Sequence, residues 1–252
     1  MLKPTYKETN IMLTILDGNN VFRKHFYLEA TPEQLERTLK QITFDNPNTI
    51  WVFDGYNNNA KRRIIFPEYK AGFEDKEISP DDKAMFEMLH EFRTVTLPSW
   101  GALVLCFDGW EADDIIYNLV KFIPVKEVIS TDKDFWQMLK VNPELQLPDT
   151  NDCPCDPSEI ILYKTLVGDK SDNISGLKSF GVKAFEKLLD TDKASLTAFL
   201  SGESDEPVVV SCPKLQAKLD PKLDELRVFW KVISFIEIDD DTFSEMIGAV
   251  IK

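Results

Sequence analysis

The sequence predicts an α/β protein with a mostly parallel sheet at its centre. Short apolar runs, typical of strands that are buried on both faces, alternate with segments that have the spacing of amphipathic helices. Three of these runs are followed directly by an aspartate and a glycine. Because parallel strands all end at one edge of a sheet, we expect these aspartates to lie at the edge where ligands usually bind.

The elements follow one another in the order that an α/β fold requires. Helix starts are marked by capping residues followed by proline, as in Thr31-Pro32 and Asp156-Pro157. The predicted strands are residues 11–16, 49–53, 103–107 and 125–130. The predicted helices cover about residues 31–39, 80–92, 112–123, 135–139, 156–166, 184–189 and 223–235.

An acidic helix start follows the third predicted strand. Glu111 and Asp114 are expected to share one helix face with Asp113 on its flank, so at least two carboxylates can converge. Acidic residues are common in a first helical turn because they complement the helix dipole, and this motif alone has little weight. It gains weight from further acids at the ends of other strands. The candidate site carboxylates are Asp17, Asp54, Glu111, Asp113, Asp114, Asp132, Asp134, Asp169 and Asp172.

Composition narrows the chemistry of such a site. The 252 residues include two histidines, and Cys153 and Cys155 have no second cysteine pair nearby, so a zinc site is not expected. Clustered carboxylates repel one another unless cations are bound, and carboxylate ligands suit magnesium or manganese. Two such ions can support phosphoryl transfer. The formal net charge of −14 is unusual for a protein that binds nucleic acid.

Further features of the sequence bear on the cellular location of the protein and on the residues that contact phosphate. There is no apolar run of membrane-spanning length and no signal-peptide core, so we expect a cytoplasmic protein without a membrane partner. Residues 57–80 form an irregular segment that contains the basic run 61–63. Residues 168–189 read as a loop and helix in which Lys178 and Lys183 lie near backbone N–H groups suited to phosphate.

The order of these motifs resembles the flap endonuclease and 5′–3′ exonuclease family of PIN-like nucleases. This family includes phage-encoded 5′ exonucleases and the 5′-nuclease domain of bacterial DNA polymerase I. The resemblance implies a PIN-like parallel-sheet nuclease core over residues 1–166 with a helical arch at about 57–80. It implies a helix–three-turn–helix DNA-binding subdomain with C-terminal helices over residues 167–252. The matching stretches are 15–18, 53–55, 67–70, 109–114, 131–135 and 168–174.

The same resemblance implies roles for individual residues. Lys70 matches the arch lysine that contacts the scissile phosphate. A first metal ion would be held by Asp17, Asp54, Glu111 and Asp113. A second would be held by Asp132, Asp134, Asp169 and Asp172, with Asp114 nearby. All nine acids and Lys70 are catalytic candidates. The implied nucleic-acid-binding residues are Lys61, Arg62, Arg63, Tyr69, Lys70, Lys178, Gly181 and Lys183.

The implied cofactors are two Mg²⁺ ions, which Mn²⁺ can replace, and a K⁺ ion in the loop before residue 183. The implied substrates are DNA with a 5′ flap, a nick or a 5′-ended duplex, or an RNA–DNA hybrid, and replication proteins are implied partners. Two positions depart from the family pattern. Gly72-Phe73 replaces an expected arginine, and Ser179 replaces a glycine of the DNA-binding hairpin.

Four other classes of protein are alternatives to this family. A non-catalytic protein that binds flaps or junctions on the same fold remains the alternative, although it would be expected to have lost several acids. A small PIN-type ribonuclease would usually lack the loop and helix after residue 168. An aspartyl-phosphate phosphatase needs a second acid where Asn19 stands, and no glycine motif for a dinucleotide follows any strand.

Overall fold

The computed structural model describes residues 12–46, 48–71, 78–147 and 154–248. Gly72, Phe73 and Cys153, which the sequence analysis singles out, lie outside these ranges. The chain divides into two compact units. The described part of the first unit is 12–46, 48–58, 78–147 and 236–248, and that of the second is 59–71 and 154–235. Both units are therefore discontinuous in sequence, unlike the predicted division at residue 166.

The first unit contains a four-stranded sheet. Its strands are β1 (Leu13–Asp17), β2 (Thr49–Asp54), β3 (Leu103–Phe107) and β4 (Val125–Ile129), in the spatial order β3-β2-β1-β4. Each pair of neighbours is parallel, which confirms the predicted α/β class. The order reverses direction between β1 and β4, and the crevice beside such a reversal is the usual ligand site of an open α/β sheet.

Helices alternate with these strands and also build the second unit. A π-helical segment, Phe92–Thr96, extends the fourth helix, and 3₁₀-helices occupy Lys133–Lys140, Pro157–Glu159 and Asp220–Lys222. The helices are α1 (Gly18–Leu28), α2 (Pro32–Asp45), α3 (Ala60–Ile65), α4 (Pro80–Glu91), α5 (Leu97–Ser99), α6 (Ala112–Phe122), α7 (Ile160–Val167), α8 (Val182–Phe185), α9 (Asp190–Ser201), α10 (Pro213–Leu219), α11 (Leu223–Ile233) and α12 (Asp240–Gly248).

Most of the predicted helices are present with shifted ends. The helices α1, α3, α5, α9, α10 and α12 lie outside the ranges predicted from the sequence pattern. The segment predicted as a helix at 135–139 is a 3₁₀-helix, and the helix predicted at 184–189 is the shorter α8. The start of α1 is the weak helix-forming sequence Gly18-Asn19-Asn20. Burial of Val21 and Phe22 explains why α1 forms there despite this sequence.

An aromatic core lies on one side of the sheet. The rings of Trp51 and Phe22 each contact Phe92, with centroids 5.2 Å apart in both pairs. Met85 is buried beside them, and Met88 packs against the same cluster from a partly buried position. The apolar face predicted for the helix after Pro80 is thus a core face. This core supports β1 and β2 and therefore the carboxylates at their ends.

Side chains of α6 attach the end of the described chain to the first unit. The Asn118 side chain donates to the backbone oxygen of Ile236, at 2.9 Å, and accepts from the backbone N–H of Ile238, at 2.9 Å. The Phe122 ring packs on Phe243 of α12, with centroids 4.7 Å apart. Residues 236–238 are therefore bonded to side chains of α6.

The second unit is helical, and α7 and α9 both pack on α11. At the end of α7 the chain makes a tight loop that requires glycine. A Cβ atom on Gly176, whose φ is +61°, would lie 2.5 Å from the backbone nitrogen of Gly168. This loop leads into α8, so a helix–loop–helix is present where the sequence predicts one.

Among the helices that the structure describes, none is both long enough and apolar enough to cross a membrane.

Candidate active site

Asp17 lies at the reversal of the sheet, where β1 and β4 end side by side. It is the last residue of β1, and only 6% of its surface is exposed. The Ser130 hydroxyl donates to Asp17 Oδ2 at 2.7 Å, and the backbone N–H of Asn20 donates to Oδ1 at 3.2 Å. Because Ser130 directly follows β4, this hydrogen bond joins the carboxyl ends of the two strands.

The electrostatics of Asp17 show that other carboxylates lie close to it. Burial is the main cause that raises the pKa of Asp17 to about 7, and the nearby charges of Asp54 and Asp132 contribute to the same increase. The hydrogen bonds from Ser130 and Asn20 lower the same pKa without offsetting the increase. Asp17 and Asp54 end β1 and β2, and Asp132 lies in the loop after β4, so these three carboxylates lie at one edge of the sheet. A hard divalent cation suits such an all-oxygen donor set and would relieve the repulsion.

Asp54 is held by bonds to both of its oxygens. Asn19 donates from Nδ2 to Asp54 Oδ2 at 2.9 Å, and its Oδ1 accepts from the Asp54 backbone N–H at 3.2 Å. The backbone N–H of Ala112 donates to Asp54 Oδ1 at 2.8 Å. Arg93 donates to the backbone oxygen of Asp54 at 3.1 Å. The end of β2 is thus fixed to the start of α6.

Glu111 and Asp114, at the start of α6, do not share one helix face as the sequence predicts. Glu111 is buried and precedes α6 in extended conformation, with φ −77° and ψ 149°, so helical periodicity does not relate it to Asp114. Asp113, in the first turn, is partly exposed. Asp114 is 1% exposed, and its Oδ1 accepts from the backbone N–H of Ile236 at 2.8 Å. This contact gives Asp114 a structural role, and its place beside the metal site stays a prediction.

The loop after β4 holds Asp132 and Asp134. Asp132 is exposed and caps the 3₁₀-helix, because its Oδ1 accepts from the Asp134 backbone N–H at 2.9 Å. Asn20 Oδ1 accepts from the backbone N–H and the hydroxyl of Thr131, at 2.9 and 3.0 Å. Residues just after β1 therefore position this loop.

Lys70 belongs to the second unit and has an unusual backbone. Its φ is +52°, a left-handed backbone conformation that is energetically unfavourable for residues other than glycine. Its backbone N–H donates to the oxygen of Asp172 at 3.4 Å, and its ammonium lies 5.0 Å from the Tyr69 ring centre. Asn173 donates to the oxygen of Glu68 at 2.9 Å. The turn that contains Lys70 is therefore bonded to the loop that contains Asp172.

Asp169 and Asp172 lie in the loop after α7. Asp169 is paired with the Lys164 ammonium at 2.7 Å and accepts from the Ser171 backbone N–H at 2.8 Å. Burial opposes ionisation of Asp169, but Lys164 and Ser171 outweigh it and lower the pKa. Asp172 is buried. Asp169 is thus ionised and already bonded to a lysine.

The basic run on α3 is only partly available to solvent. Arg62 is 3% exposed, and its guanidinium donates to the backbone oxygens of Val232, at 2.9 Å, and Ser234, at 3.5 Å. It therefore caps the end of α11 instead of facing solvent, as its predicted phosphate contact would require. Lys61 and Arg63 are partly exposed, and Tyr69 is buried.

The three hairpin residues predicted to bind nucleic acid, Lys178, Gly181 and Lys183, are all exposed. Ser179 has a φ of +57° and so adopts the conformation that glycine favours. The helix that follows, α8, has only four residues. The exposed lysines, more than this short helix, make the hairpin suitable for contact with a phosphate backbone.

The polar residues that position these carboxylates were not predicted from the sequence. Asn19 and Asn20 follow Asp17 by two and three residues, and Ser130 directly follows β4. Lys164 lies one helical turn before Gly168. The detectable signal was the presence of short polar side chains immediately after strands that end in an acid.

A parallel sheet with converging carboxylates at its carboxyl edge defines a PIN-like nuclease core. A family model described as "5'-3' exonuclease, N-terminal resolvase-like domain" matches residues 12–161. The chain belongs to this family of 5′–3′ exonucleases, and it is an enzyme of the nuclease class. The predicted resemblance is confirmed.

Individual relatives agree with this assignment. Flap endonuclease Xni of Vibrio atlanticus is 27% identical over an alignment of 261 positions, which covers 92% of this chain and 94% of that protein. The 5'-3' exonuclease of Mycoplasmopsis pulmonis is 24% identical over 216 residues, which cover 75% and 70%. The solved structure of T5 5'-exonuclease with bound zinc ions has a TM-score of 0.71 at 19% identity and covers 96% of this chain and 98% of its own. This last similarity shows a common fold.

Proposed function

We propose that the protein is a divalent-metal-dependent, structure-selective 5′ nuclease that hydrolyses phosphodiesters of DNA or RNA–DNA at 5′ ends and junctions. The proposal rests on the placement of three acids at one edge of the sheet. Asp17 and Asp54 end the neighbouring strands β1 and β2, and Ser130 bonds both to Asp17 Oδ2 and to the backbone N–H of Asp132. Such crowding is unfavourable in the absence of cations and useful in their presence. The non-catalytic alternative gives no reason to retain it.

Mg²⁺ is the proposed ion, with two ions bound and Mn²⁺ as a substitute. Bound divalent ions supply positive charge that stabilises the negative charge developing during phosphoryl displacement. Asp17, Asp54, Glu111 and Asp113 would hold the first ion. Asp132 and Asp134 would contribute to the second, for which Asp169 and Asp172 remain ligands implied by the family.

The residues of the chain keep these ligands in place during hydrolysis. Ser130 and Asn19 orient the Asp17 and Asp54 carboxylates, so that little rearrangement is needed when substrate binds. A water oxygen forms the new bond to phosphorus as the bond to the leaving 3′ oxygen breaks, and the products are a 5′-phosphate and a 3′-hydroxyl. Lys70 would contact the scissile phosphate, and its left-handed backbone is consistent with strain retained for function.

Substrate binding is proposed from the relatives and from the exposed lysines. T5 D15 flap endonuclease has been solved with DNA and metal ions. Among the predicted contacts, the lysines Lys178 and Lys183 are exposed, and Lys61, Arg63 and Lys70 are partly exposed. Because the net charge is −14, we expect weak intrinsic binding that is strengthened by low salt or by replication proteins. A K⁺ ion in the hairpin loop remains a prediction of the resemblance.

A substrate panel tests the proposal. A DNA duplex with a labelled 5′ flap, a matched 3′ flap, a blunt duplex and an RNA–DNA hybrid are incubated with the protein in Mg²⁺, Mn²⁺ or EDTA. We expect cutting at or near the 5′ junction, or stepwise from the 5′ end, in both metals and none in EDTA. Tight binding of the 5′ flap without cutting in either metal would support the non-catalytic alternative.

A further inference from the structure

Tyr56 is an aromatic residue placed on the surface beside the carboxylates of the first unit. It follows the end of β2 by two residues, and 82% of its surface is exposed. Single exposed apolar residues are common and usually need no explanation. Two further features distinguish Tyr56, namely its rigid attachment and its location.

Hydrogen bonds fix the Tyr56 backbone on both sides. Its N–H donates to Asp108 Oδ1 at 3.1 Å, and its carbonyl oxygen accepts from the Gly109 N–H at 2.7 Å. The preceding residue, Gly55, donates to the oxygen of Trp110 at 3.0 Å. A Cβ atom on Gly55 would lie 1.8 Å from the Phe107 oxygen, so the loops after β2 and β3 are in direct backbone contact. The backbone that carries the Tyr56 ring is therefore held in place.

The location of Tyr56 is the edge of the sheet that contains the site. Asp54, two residues earlier, contributes to the repulsion felt by Asp17. A second exposed aromatic of this unit, Phe44, is 59% exposed. Phe44 lies near the end of α2, just before β2 begins, and therefore at the opposite edge of the sheet. The structure thus offers a matched pair of exposed aromatic residues at the two edges.

We propose that Tyr56 is a base-stacking residue, on which an unpaired base of the nucleic-acid substrate packs next to the bond that is cut. This inference rests on the proposed function. A phosphodiester that reaches Asp17 and Asp54 brings its flanking nucleotides over the loop that presents Tyr56. Stacking on an aromatic ring does not require a cation, so it can supply affinity at an edge where aspartates predominate.

Binding of a 5′-flap DNA measures the contribution of the ring. Fluorescence anisotropy is recorded in Ca²⁺, and a gel of each sample checks that the DNA is intact. We expect Tyr56→Phe to bind as the wild type does, and Tyr56→Leu and Tyr56→Ala to raise Kd by about 5- to 100-fold. Phe44→Ala is the matched control and should leave Kd unchanged.

Abasic sites identify the stacked base. One abasic nucleotide is placed in turn at each of the unpaired positions nearest the junction. At the stacked position it should weaken binding by the wild type and have little further effect on Tyr56→Ala. Equal binding by the Leu and Phe variants, an equal loss in Phe44→Ala, or the absence of coupling at every position would overturn the inference.

These outcomes are separate from failure of the proposed function. If the wild type cuts flaps and Tyr56→Ala binds and cuts equally well, the stacking role fails and the nuclease assignment stands. If the coupling is found but no substrate is cut, the nuclease proposal fails and the stacking role stands.

Discussion

The hydroxyl of Ser130 donates a 2.7 Å hydrogen bond to Asp17 Oδ2 and joins the ends of β4 and β1. This bond partly offsets the burial that raises the pKa of Asp17. Ser130 Oγ also accepts from the Asp132 backbone N–H at 3.0 Å, so one side chain orients two acidic segments. Ser130 is therefore expected to determine how readily the site binds a cation.

Replacing Ser130 by alanine should weaken metal binding. Without the donor, the pKa of Asp17 rises further, and a cation must displace a more tightly held proton. We expect the Mg²⁺ concentration for half-maximal cleavage at pH 7 to rise about 3- to 10-fold, since such a bond contributes on the order of 1 kcal/mol. Ser99→Ala, which removes an exposed hydroxyl of the same unit, is the control. An unchanged Mg²⁺ dependence would contradict this role for Ser130.

Asp17→Asn should make the metal-free protein more stable at high pH. The pKa of Asp17 is about 7 in the folded protein and 3.8 in its unperturbed state. Between these pH values the folded state retains a proton on Asp17 that the unfolded state has lost. The contribution of Asp17 to the free energy of unfolding of the wild type is therefore greatest below about pH 4, where Asp17 is protonated in both states, and it falls until the pH has passed 7. Asparagine does not titrate and loses nothing over this range.

Urea unfolding in EDTA at pH 5 and pH 8 measures this effect. The stability advantage of Asp17→Asn should grow with pH, by on the order of 2–4 kcal/mol. Saturating Mg²⁺ should remove the advantage, because only the wild type gains the full free energy of metal binding. An advantage that does not change with pH would mean that Asp17 is ionised in the metal-free protein.

Asp114 and Asn118, two residues of α6 that bond to segment 236–238, should contribute more to stability than to cleavage. Asp114→Asn retains an oxygen that can accept from the Ile236 N–H, so we expect cleavage within about 5-fold of the wild type. Asn118→Leu removes the bonds to Ile236 and Ile238 and should cost about 2–4 kcal/mol in urea unfolding. Loss of all cleavage in a fully folded Asp114→Asn would show that this carboxylate belongs to the metal site after all.

Two substitutions of Lys70 separate backbone strain from side-chain function. Glycine accepts a φ of +52° at little cost, whereas alanine retains the strain. Lys70→Gly should therefore be more stable than Lys70→Ala by about 1 kcal/mol. Both variants should cleave a 5′ flap at least tenfold more slowly than the wild type, since both lack the ammonium. Equal stability of the two would indicate that the turn relaxes when lysine is removed.

The sequence was sufficient to predict the acidic edge of the sheet. Parallel strands end at one edge of a sheet, so the sequence predicts that Asp17 and Asp54 lie at the same edge. In the structure β1 and β2 are neighbours, and Asp17 lies opposite Val52, two residues before Asp54. The repeated Asp-Gly pattern also has a structural reason. A Cβ on Gly18 would lie 2.3 Å from the Phe53 ring, and one on Gly55 would meet the Phe107 oxygen.

Contacts between residues that are distant in sequence could not be predicted from local sequence patterns. Arg62 is buried because it bonds to Val232, which is 170 residues away, and no local pattern indicates this contact. Asp114 bonds to Ile236, at a separation of 122 residues. In both cases a charged side chain that appears functional in a short motif satisfies backbone groups of a distant segment.

Metal-dependent cleavage by Asp132→Asn tests the central claim most directly. Asparagine can still cap the 3₁₀-helix through its side-chain oxygen, so the fold should be retained. A 5′-end-labelled flap duplex is incubated with wild type or variant over a range of Mg²⁺ concentrations and in EDTA. We predict junction cleavage by the wild type that requires Mg²⁺, and a loss of at least 100-fold in the folded variant. Cleavage by the variant at the wild-type rate, or cleavage by the wild type in EDTA, would contradict a metal-dependent nuclease site at this edge of the sheet.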